Sequence, residues 1–518
     1  AINTINVTMS SADEDSTLQG LSKAITDIEK KFDGLLPDEK IHGLTGMMKN
    51  GIEIVKLQGE IKAQQQLIKN LANPSQSHEE ERGGITTQKN LRGKHDMTRV
   101  EQLKILYDLY DELFVTIEKG RMENVVYKHR ELHPINKEVC TICLEDVSIT
   151  SVTSVQYFMC CGNFTCFQCF QAVCAKGIKK CPCCREEILI TMDKWVRQTE
   201  QQAKRGRHWA QTQMGIYFLE GSSCQHGNAV HHKVDVREAL KWFKLAAEQR
   251  HPDAIRNIAQ LHAGVYGKVK EVEQCQIKAR ALMKEAGNLR AQRNYAMMCR
   301  LGQGGTEDKS GAAHYYTLAY SQKGLSFEKD EVSPLEISDE LPEEVLHAGL
   351  FLGIYHYYGD GGFTKNLHIA KYYLEEYVKE SEKQGNIMLP RSDAYTTLAA
   401  CLMELHECTF GRNVPDYSVP GYSSVPRAMS LYRKSVKLGI GKPNESSQHS
   451  KEVLEGMVTQ LNRFCGNCGV ASKDTPEGKL KEKLKECGRC HSTWYCGKEC
   501  QTEHWKAGHK SDCVRQQA

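Results

Sequence analysis

The sequence predicts a mainly α-helical protein, a solenoid of helical repeats with one small metal-binding domain before it and another after it. Two observations carry this reading. A twelve-residue frame recurs five times between residues 205 and 440, and the 22 cysteines are concentrated outside that stretch. Ten cysteines lie between 140 and 184 and seven between 465 and 513, leaving five scattered.

The frame reads EALKWFKLAAEQ (238–249), KARALMKEAGNL (278–289), GAAHYYTLAYSQ (311–322), HIAKYYLEEYVK (368–379) and RAMSLYRKSVKL (427–438). In each, a small or apolar residue is followed three and four positions later by large ones: Trp242–Phe243, Leu282–Met283, Tyr315–Tyr316, Tyr372–Tyr373 and Leu431–Tyr432. A small or apolar pair often follows, as in Ala246–Ala247. Another apolar helix precedes each unit, such as AQTQMGIYFLEG (210–221) or LHAGLFLGIYHYYGDG (346–361). Large residues on one face and alanines on the other let consecutive helices pack as close antiparallel pairs, and pairs then stack. The tyrosines and tryptophans of these units are therefore assigned to the core. GQGG (302–305) and GDGG (359–362) are read as helix stops. The frame and the G…Y…G-D/E-G endings resemble the Sel-one-like repeats, relatives of the tetratricopeptide family. Start-to-start spacings of 40, 33, 57 and 59 place insertions in the last units, such as SFEKDEVSPLEISDELPEE (326–344), expected as polar surface loops.

Ahead of the cysteines, residues 1–95 form a polar region, partly helical or disordered. It includes a helical pattern at 51–71 and a loop-like ANPSQSHEEERGG at 72–84. A stronger amphipathic helix is expected over 96–132. There Val100, Leu103, Tyr107, Tyr110, Phe114 and Ile117 alternate three and four apart in one apolar stripe. Such a stripe suits a helix packed on its own domain, or a coiled-coil seam of under three heptads.

A chain of 518 residues suits about three or four domains. The formal charge of +3 gives no bulk attraction to nucleic acid or anionic membrane, and nucleic acid is not an expected partner. The lysine-rich 479–485 is interrupted by glutamates and reads as a solvated face. No run of 18 apolar residues exists, so no membrane-spanning helix is expected. The opening AINTINVTMSSADEDS is polar and then acidic, unlike a secretory or organellar leader. Dense CxxC pairs in such a chain point to thiolates holding zinc in a reducing compartment, cytoplasm or nucleus or both, rather than to cystines. Phosphate-binding GxxxxGK[ST], HExxH and GxSxG motifs are all absent.

The first cluster offers its ligands in pairs: Cys140–Cys143, Cys160/Cys161, Cys166–Cys169 and Cys181–Cys184. Zinc takes four donors in a tetrahedron and a CxxC turn supplies two, so four pairs make two sites. C-x2-C-x17-C-x4-C-x2-C-x11-C-x2-C, ending in CPCCR, is similar to a RING domain. The resemblance implies a cross-brace: Cys140, Cys143, Cys166 and Cys169 around one ion, and Cys161, Cys181 and Cys184 around the other. Asn163 stands where the family usually has histidine. An amide oxygen is a poor zinc donor beside thiolates, so the Cys160/Cys161 pair is preferred to complete that site. Cys174 and Cys183 are read as bystanders.

RING domains commonly act as ubiquitin ligases. They dock a charged ubiquitin-conjugating enzyme and fix its thioester-linked ubiquitin in a reactive pose, supplying position and no nucleophile. By resemblance, Ile142 matches the apolar contact to the conjugating enzyme and Pro182 the neighbouring groove. Arg185 matches the cation that bridges conjugating enzyme and ubiquitin. Each also has a plain structural reading, Ile142 in a mini-core and Arg185 as a surface charge.

The second cluster holds Cys465–Cys468, Cys487–Cys490, Cys496–Cys500 and His509–Cys513. Its tail, WYCGKECQTEHWKAGHKSDC, is similar to the MYND zinc finger. The resemblance implies one ion on Cys465, Cys468, Cys496 and Cys500 and another on Cys487, Cys490, His509 and Cys513. Four zinc ions are then expected in all, two per finger. His504 competes weakly with His509. MYND fingers usually bind short proline-containing peptides, and Gln501 and Trp505 match the groove positions. Trp505 could equally cover the zinc core.

These readings organise the chain as 1–95, the helix 96–132, a RING-type finger at 136–192, repeats at 205–440 and a MYND-type finger at 461–513. The expected function is a RING-type ubiquitin ligase whose repeats and MYND finger bind substrate or partner proteins. A non-catalytic, zinc-dependent adaptor is the alternative, and a nucleic-acid regulator is disfavoured by the balanced charge.

Overall fold

The computed structural model describes residues 53–67, 85–132, 137–148, 155–188, 191–221, 234–267, 272–324, 341–384, 391–410, 424–439, 444–467, 472–473, 483–510 and 513. The loop at 72–84 and nearly all of the insertion at 326–344 lie outside these residues. The chain divides into two compact units, residues 125–348 and residues 1–124 together with 349–518.

Two helices precede the first cysteine cluster, α1 over 53–67 and α2 over Ile85–Leu132. The second starts earlier than the expected 96. No proline interrupts 85–99 and Lys, Gln, Arg and Leu continue the helix, but the apolar stripe ends at Val100, so periodicity had no signal there. Instead of one apolar face, α2 buries two. Leu113, with Leu106, Leu109, Tyr110 and Ile117, packs on Leu57 and Ile61 of α1. Tyr107 packs on Tyr357, Ala370, Cys401 and Leu405 of the repeats. The helix therefore packs against its own domain rather than forming a coiled-coil seam.

Polar groups fix this docking. Asp111 accepts from His368 Nδ1 at 2.5 Å and from Lys371 Nζ. Glu118, 1% exposed, accepts from Arg121 at 2.6 and 2.7 Å and from Tyr373 Oη at 2.5 Å.

Four short strands follow α2. β1 (Lys137–Val139) pairs antiparallel with β2 (Asp146–Ser148), with Lys137 opposite Ser148. β3 (Val155–Tyr157) pairs with β4 (Phe164–Cys166), with Val155 opposite Cys166. The short helix α3 (Phe167–Ala175) leaves β4 directly. Then α4 (Met192–Lys204), N-capped by Thr191, leads into the repeats.

Among the described residues the repeats are five helix pairs: α5 (His208–Glu220) with α6 (Val236–Glu248), α7 (Pro252–Ala263) with α8 (Gln276–Ala286), α9 (Leu289–Arg300) with α10 (Lys309–Ser321), α11 (Glu343–Tyr358) with α12 (Leu367–Gln384), and α13 (Arg391–Phe410) with α14 (Ser424–Leu438). Every recurrence of the frame falls on the second helix of a pair. The later member of each large pair is deeply buried: Phe243, Met283, Tyr316, Tyr373 and Tyr432. Ala239, Ala279, Ala312 and Ala428, at the frame's small position, are fully buried. The first helices give way to these large residues. A Cβ on Gly215 would lie 2.5 Å from the Phe243 ring, and one on Gly353 would lie 3.2 Å from Tyr373 Cβ and 2.8 Å from its neighbour Leu374. The expected stops hold too, since Gly302 and Gly304 follow α9 with φ of 64° and 73°. Helix α15 (Glu445–Leu461) follows the last pair.

The C-terminal residues form a two-stranded hairpin, β5 (Lys485–Glu486) with β6 (Trp494–Tyr495), and the short helix α16 (Lys498–His504). Among the described residues, no helix is long and apolar enough to cross a membrane.

Candidate metal centres

Three CxxC turns close in the same way. After Cys143, Cys184 and Cys490 the next residue takes a left-handed backbone: Leu144 at φ 64°, Arg185 at 68° and His491 at 50°. Its N–H donates to the carbonyl of the first cysteine, Cys140, Cys181 or Cys487, at 3.0, 2.9 and 2.9 Å. A non-glycine residue in this region costs roughly 1–2 kcal/mol, so something must hold each turn there. The geometry turns both thiols of a pair towards one point.

Four such points exist among the described residues. Cys140, Cys143, Cys166 and Cys169 place their sulfurs within 4.8 Å of one another, with Cys143–Cys166 at 3.9 Å. Cys160, Cys161, Cys181 and Cys184 do the same, with Cys161–Cys181 at 3.8 Å and Cys160–Cys184 at 3.3 Å. A tetrahedral site with Zn–S bonds of about 2.3 Å separates its sulfurs by about 3.8 Å. The pairs interleave: first with third, second with fourth. Adjacent Cys160 and Cys161 both join the second cluster. Asn163 is exposed and contributes backbone only, its carbonyl accepting from Phe158 N at 2.8 Å and its N–H bonding the Cys161 sulfur.

Near the C-terminus, Cys487, Cys490, His509 and Cys513 form a fully buried cluster, with Cys487–Cys513 at 3.8 Å and Cys490 Sγ to His509 Nε2 at 3.7 Å. Cys465, Cys496 and Cys500 form the fourth, and Cys468, expected with them, lies outside the described residues. His504 does not join. Its Nδ1 shares a 3.0 Å hydrogen bond with Tyr495 Oη and its ring stacks on His509 at 4.8 Å, while burial lowers its pKa to about 4. The neutral ring thus packs behind the ligand-facing histidine.

Electrostatics within the clusters favours a cation. Burial pushes Cys161 up to about 12, and burial followed by the sulfurs of Cys184 and Cys181 drives Cys160 higher still. Burial opposes ionisation of Cys140 as well, but the backbone N–H groups of Cys166 and Cys143 bring it down to about 6. Hydrogen bonding from the Cys490 thiol lowers Cys487 to about 3, while Cys490 is pushed far up. Each of these crowds accommodates one negative sulfur readily and resists the next, and three or four thiolates together need a positive ion. The described cysteines are free thiols. Soft sulfur donors at tetrahedral spacing fit zinc.

The other expected site residues surround these centres. Ile142 is 40% exposed, Arg185 is exposed and Pro182 half-buried. Thr141 Oγ1 lies 3.6 Å from Cys183 Sγ, which brings the loops carrying Ile142 and Pro182 side by side. Trp505 is half-buried against Cys465, Cys487, Cys490 and Cys513, with the Arg489 guanidinium 5.6 Å from its ring centre. Gln501 is half-buried on α16.

Two further residues gave no signal in the sequence. Gln202 of α4, 2% exposed, donates from Nε2 to the carbonyls of Met159 and Cys160 at 3.3 Å each. Arg433 of α14 donates to the carbonyls of Cys490 and His491 at 2.9 and 2.8 Å and to Ser492 Oγ at 2.6 Å.

A family model for the MYND finger matches residues 465–513, and one for the Sel1 repeat matches 210–251, 289–323 and 348–376. The chain carries Sel1 repeats and a C-terminal MYND finger. Neither match covers the first cysteine module. Among solved structures, the chain is similar to a protective antigen from uropathogenic Escherichia coli displaying an SLR fold, at 15% identity and a TM-score of 0.35 over 88% of this chain. That match spans 64% of the antigen, under two thirds of its length. A Sel1 repeat protein from Oxalobacter formigenes is similar at 16% identity and a TM-score of 0.32, over 55% of this chain and 97% of that one. Sel1 repeats and MYND fingers are protein-interaction modules, so two kinds of docking surface lie on one chain.

Proposed function

We propose that this protein is a RING-type ubiquitin ligase whose Sel1 repeats and MYND finger bind the substrate or a partner. The observation that supports it best is the interleaving of the two N-terminal clusters, Cys140/Cys143/Cys166/Cys169 with Cys160/Cys161/Cys181/Cys184. A RING cross-brace requires interleaved ligand pairs, an arrangement the clusters of the MYND finger share, whereas two separate fingers would pair neighbours. The surface agrees. Ile142 and Leu144, 40% and 74% exposed, sit on the first knuckle beside the second, which carries Pro182 and Arg185. An apolar contact flanked by a cation suits a conjugating enzyme with ubiquitin attached.

Zinc in these clusters would hold the knuckles in place and polarise nothing in the reaction. The chain's own part is positional: Ile142 and Pro182 seat the conjugating enzyme, and Arg185 restrains the ubiquitin tail against it. On the second finger, Gln501 and Trp505 would receive a proline-containing peptide, with the half-buried Trp505 ring as the anchor.

Autoubiquitination with a panel of conjugating enzymes tests this. Chains should form with at least one enzyme and fall by ten-fold or more in Ile142→Ala and in Arg185→Ala, with metal content unchanged. No chain formation with any enzyme points to the second reading, a non-catalytic adaptor. The family matches, which cover the Sel1 repeats and the MYND finger, support that reading.

A further inference from the structure

We infer that each zinc module caps the adjoining helices of its own unit, with Gln202 and Arg433 as the residues that couple ion loading to helix packing. This is separate from ligase activity and holds equally for an adaptor.

Stacked repeats leave an unpaired face at each end, which needs a cap. In the unit 125–348, the structure places a metal knuckle there. Tyr157 of β3 stacks on Trp209 of α5 at 4.6 Å and 15°. Met159 joins the same cluster with Ala203, Ala210 and Met214. Gln202 bridges the two parts, because its amide holds the carbonyls of Met159 and Cys160, the latter a ligand. Gly162 leaves room for it, since a Cβ there would meet Gln202 Oε1 at 2.8 Å.

The other unit repeats the device with different chemistry. Met429 of α14, fully buried, packs with Trp494 of the MYND hairpin and with Met403, Leu454 and Met457. Arg433, one turn along α14, donates to the carbonyls of Cys490 and His491 and to Ser492 Oγ. Those carbonyls point at Arg433 only while His491 keeps its left-handed backbone at φ 50°, immediately after the ligand Cys490. In both modules a side chain from the helical unit reads the backbone of a ligand turn. An ion that fixes the turn fixes the donor, and by linkage the donor favours the ion.

The test is hydrogen exchange by mass spectrometry on the full chain, zinc-loaded and after chelation, in native protein, Gln202→Leu and Arg433→Leu. In the native chain, chelation should speed exchange ten-fold or more in α5 and in α14, beyond the fingers themselves. In zinc-loaded Arg433→Leu, α14 should already exchange fast while the Cys487/Cys490/His509/Cys513 site keeps its ion and α5 is unchanged. Gln202→Leu should give the mirror result. Arg433→Lys, which keeps one donor, should fall between. Exchange in α5 and α14 that ignores chelation overturns the inference. So does native-like coupling in both leucine variants.

Discussion

Glu118 is a buried, ion-paired charge on α2, and replacing it gives a sharp test of how that helix is held. Its carboxylate is 1% exposed, bidentate with Arg121 and within 3.6 Å of His356. Burial alone would raise its pKa, but the Arg121 guanidinium and then His356 hold it down from 4.5 to about 2. At about 1.36 kcal/mol per pKa unit, that gap amounts to about 3 kcal/mol of stability at neutral pH. Glu118→Gln should therefore destabilise the unit 1–124 with 349–518 by about 3 kcal/mol, since Arg121 and Tyr373 lose their anionic acceptor. The sign with pH follows. The folded pKa lies below the unfolded one, so the contribution is complete above about pH 4.5 and is lost as pH falls towards about 2. Urea unfolding followed between pH 7 and 2.5 measures both. The native chain should lose stability through that acid window, and the Gln variant should lack this component. A change below about 0.5 kcal/mol at pH 7 would refute the reasoning.

Other outcomes follow from the same geometry. Asn163→Ala should keep full metal, whereas Cys160→Ser should lose about one equivalent, read by metal analysis of purified protein. Phe243→Ala empties a fully buried site against Gly215 and should cost about 3–5 kcal/mol in thermal or chemical unfolding. Gly215→Ala places a methyl 2.5 Å from that ring and should destabilise by about 1–3 kcal/mol. Burial depresses His251 from 6.5 to about 4, so the unfolded chain binds its proton first and stability should fall as pH drops from 6.5 to 4. His251→Gln should flatten that part of the profile.

The metal centres were legible because a ligand must be a particular residue type at a particular spacing. Cys160 could be chosen over Asn163 on donor chemistry alone, and the structure puts its sulfur 3.3 Å from Cys184. The repeat frame was legible for a similar reason. Close helix packing demands an alanine at 239, 279, 312 and 428, followed by a large residue that no surface position needs. Gln202 and Arg433 left no trace because they read backbone carbonyls, which every residue has. The second face of α2 was hidden because Leu106, Leu109 and Leu113 fill the gaps in the first stripe and blur its period. The early start at Ile85 was hidden because nothing apolar marks it.

Zinc content per chain, with X-ray absorption at the zinc edge, tests the central claim most directly. The expected result is four equivalents bound by sulfur and nitrogen in a ratio of about fifteen to one, at Zn–S distances of about 2.3 Å. A metal-free chain that keeps both cysteine modules ordered, or one whose clustered thiols are paired as cystines, would contradict it.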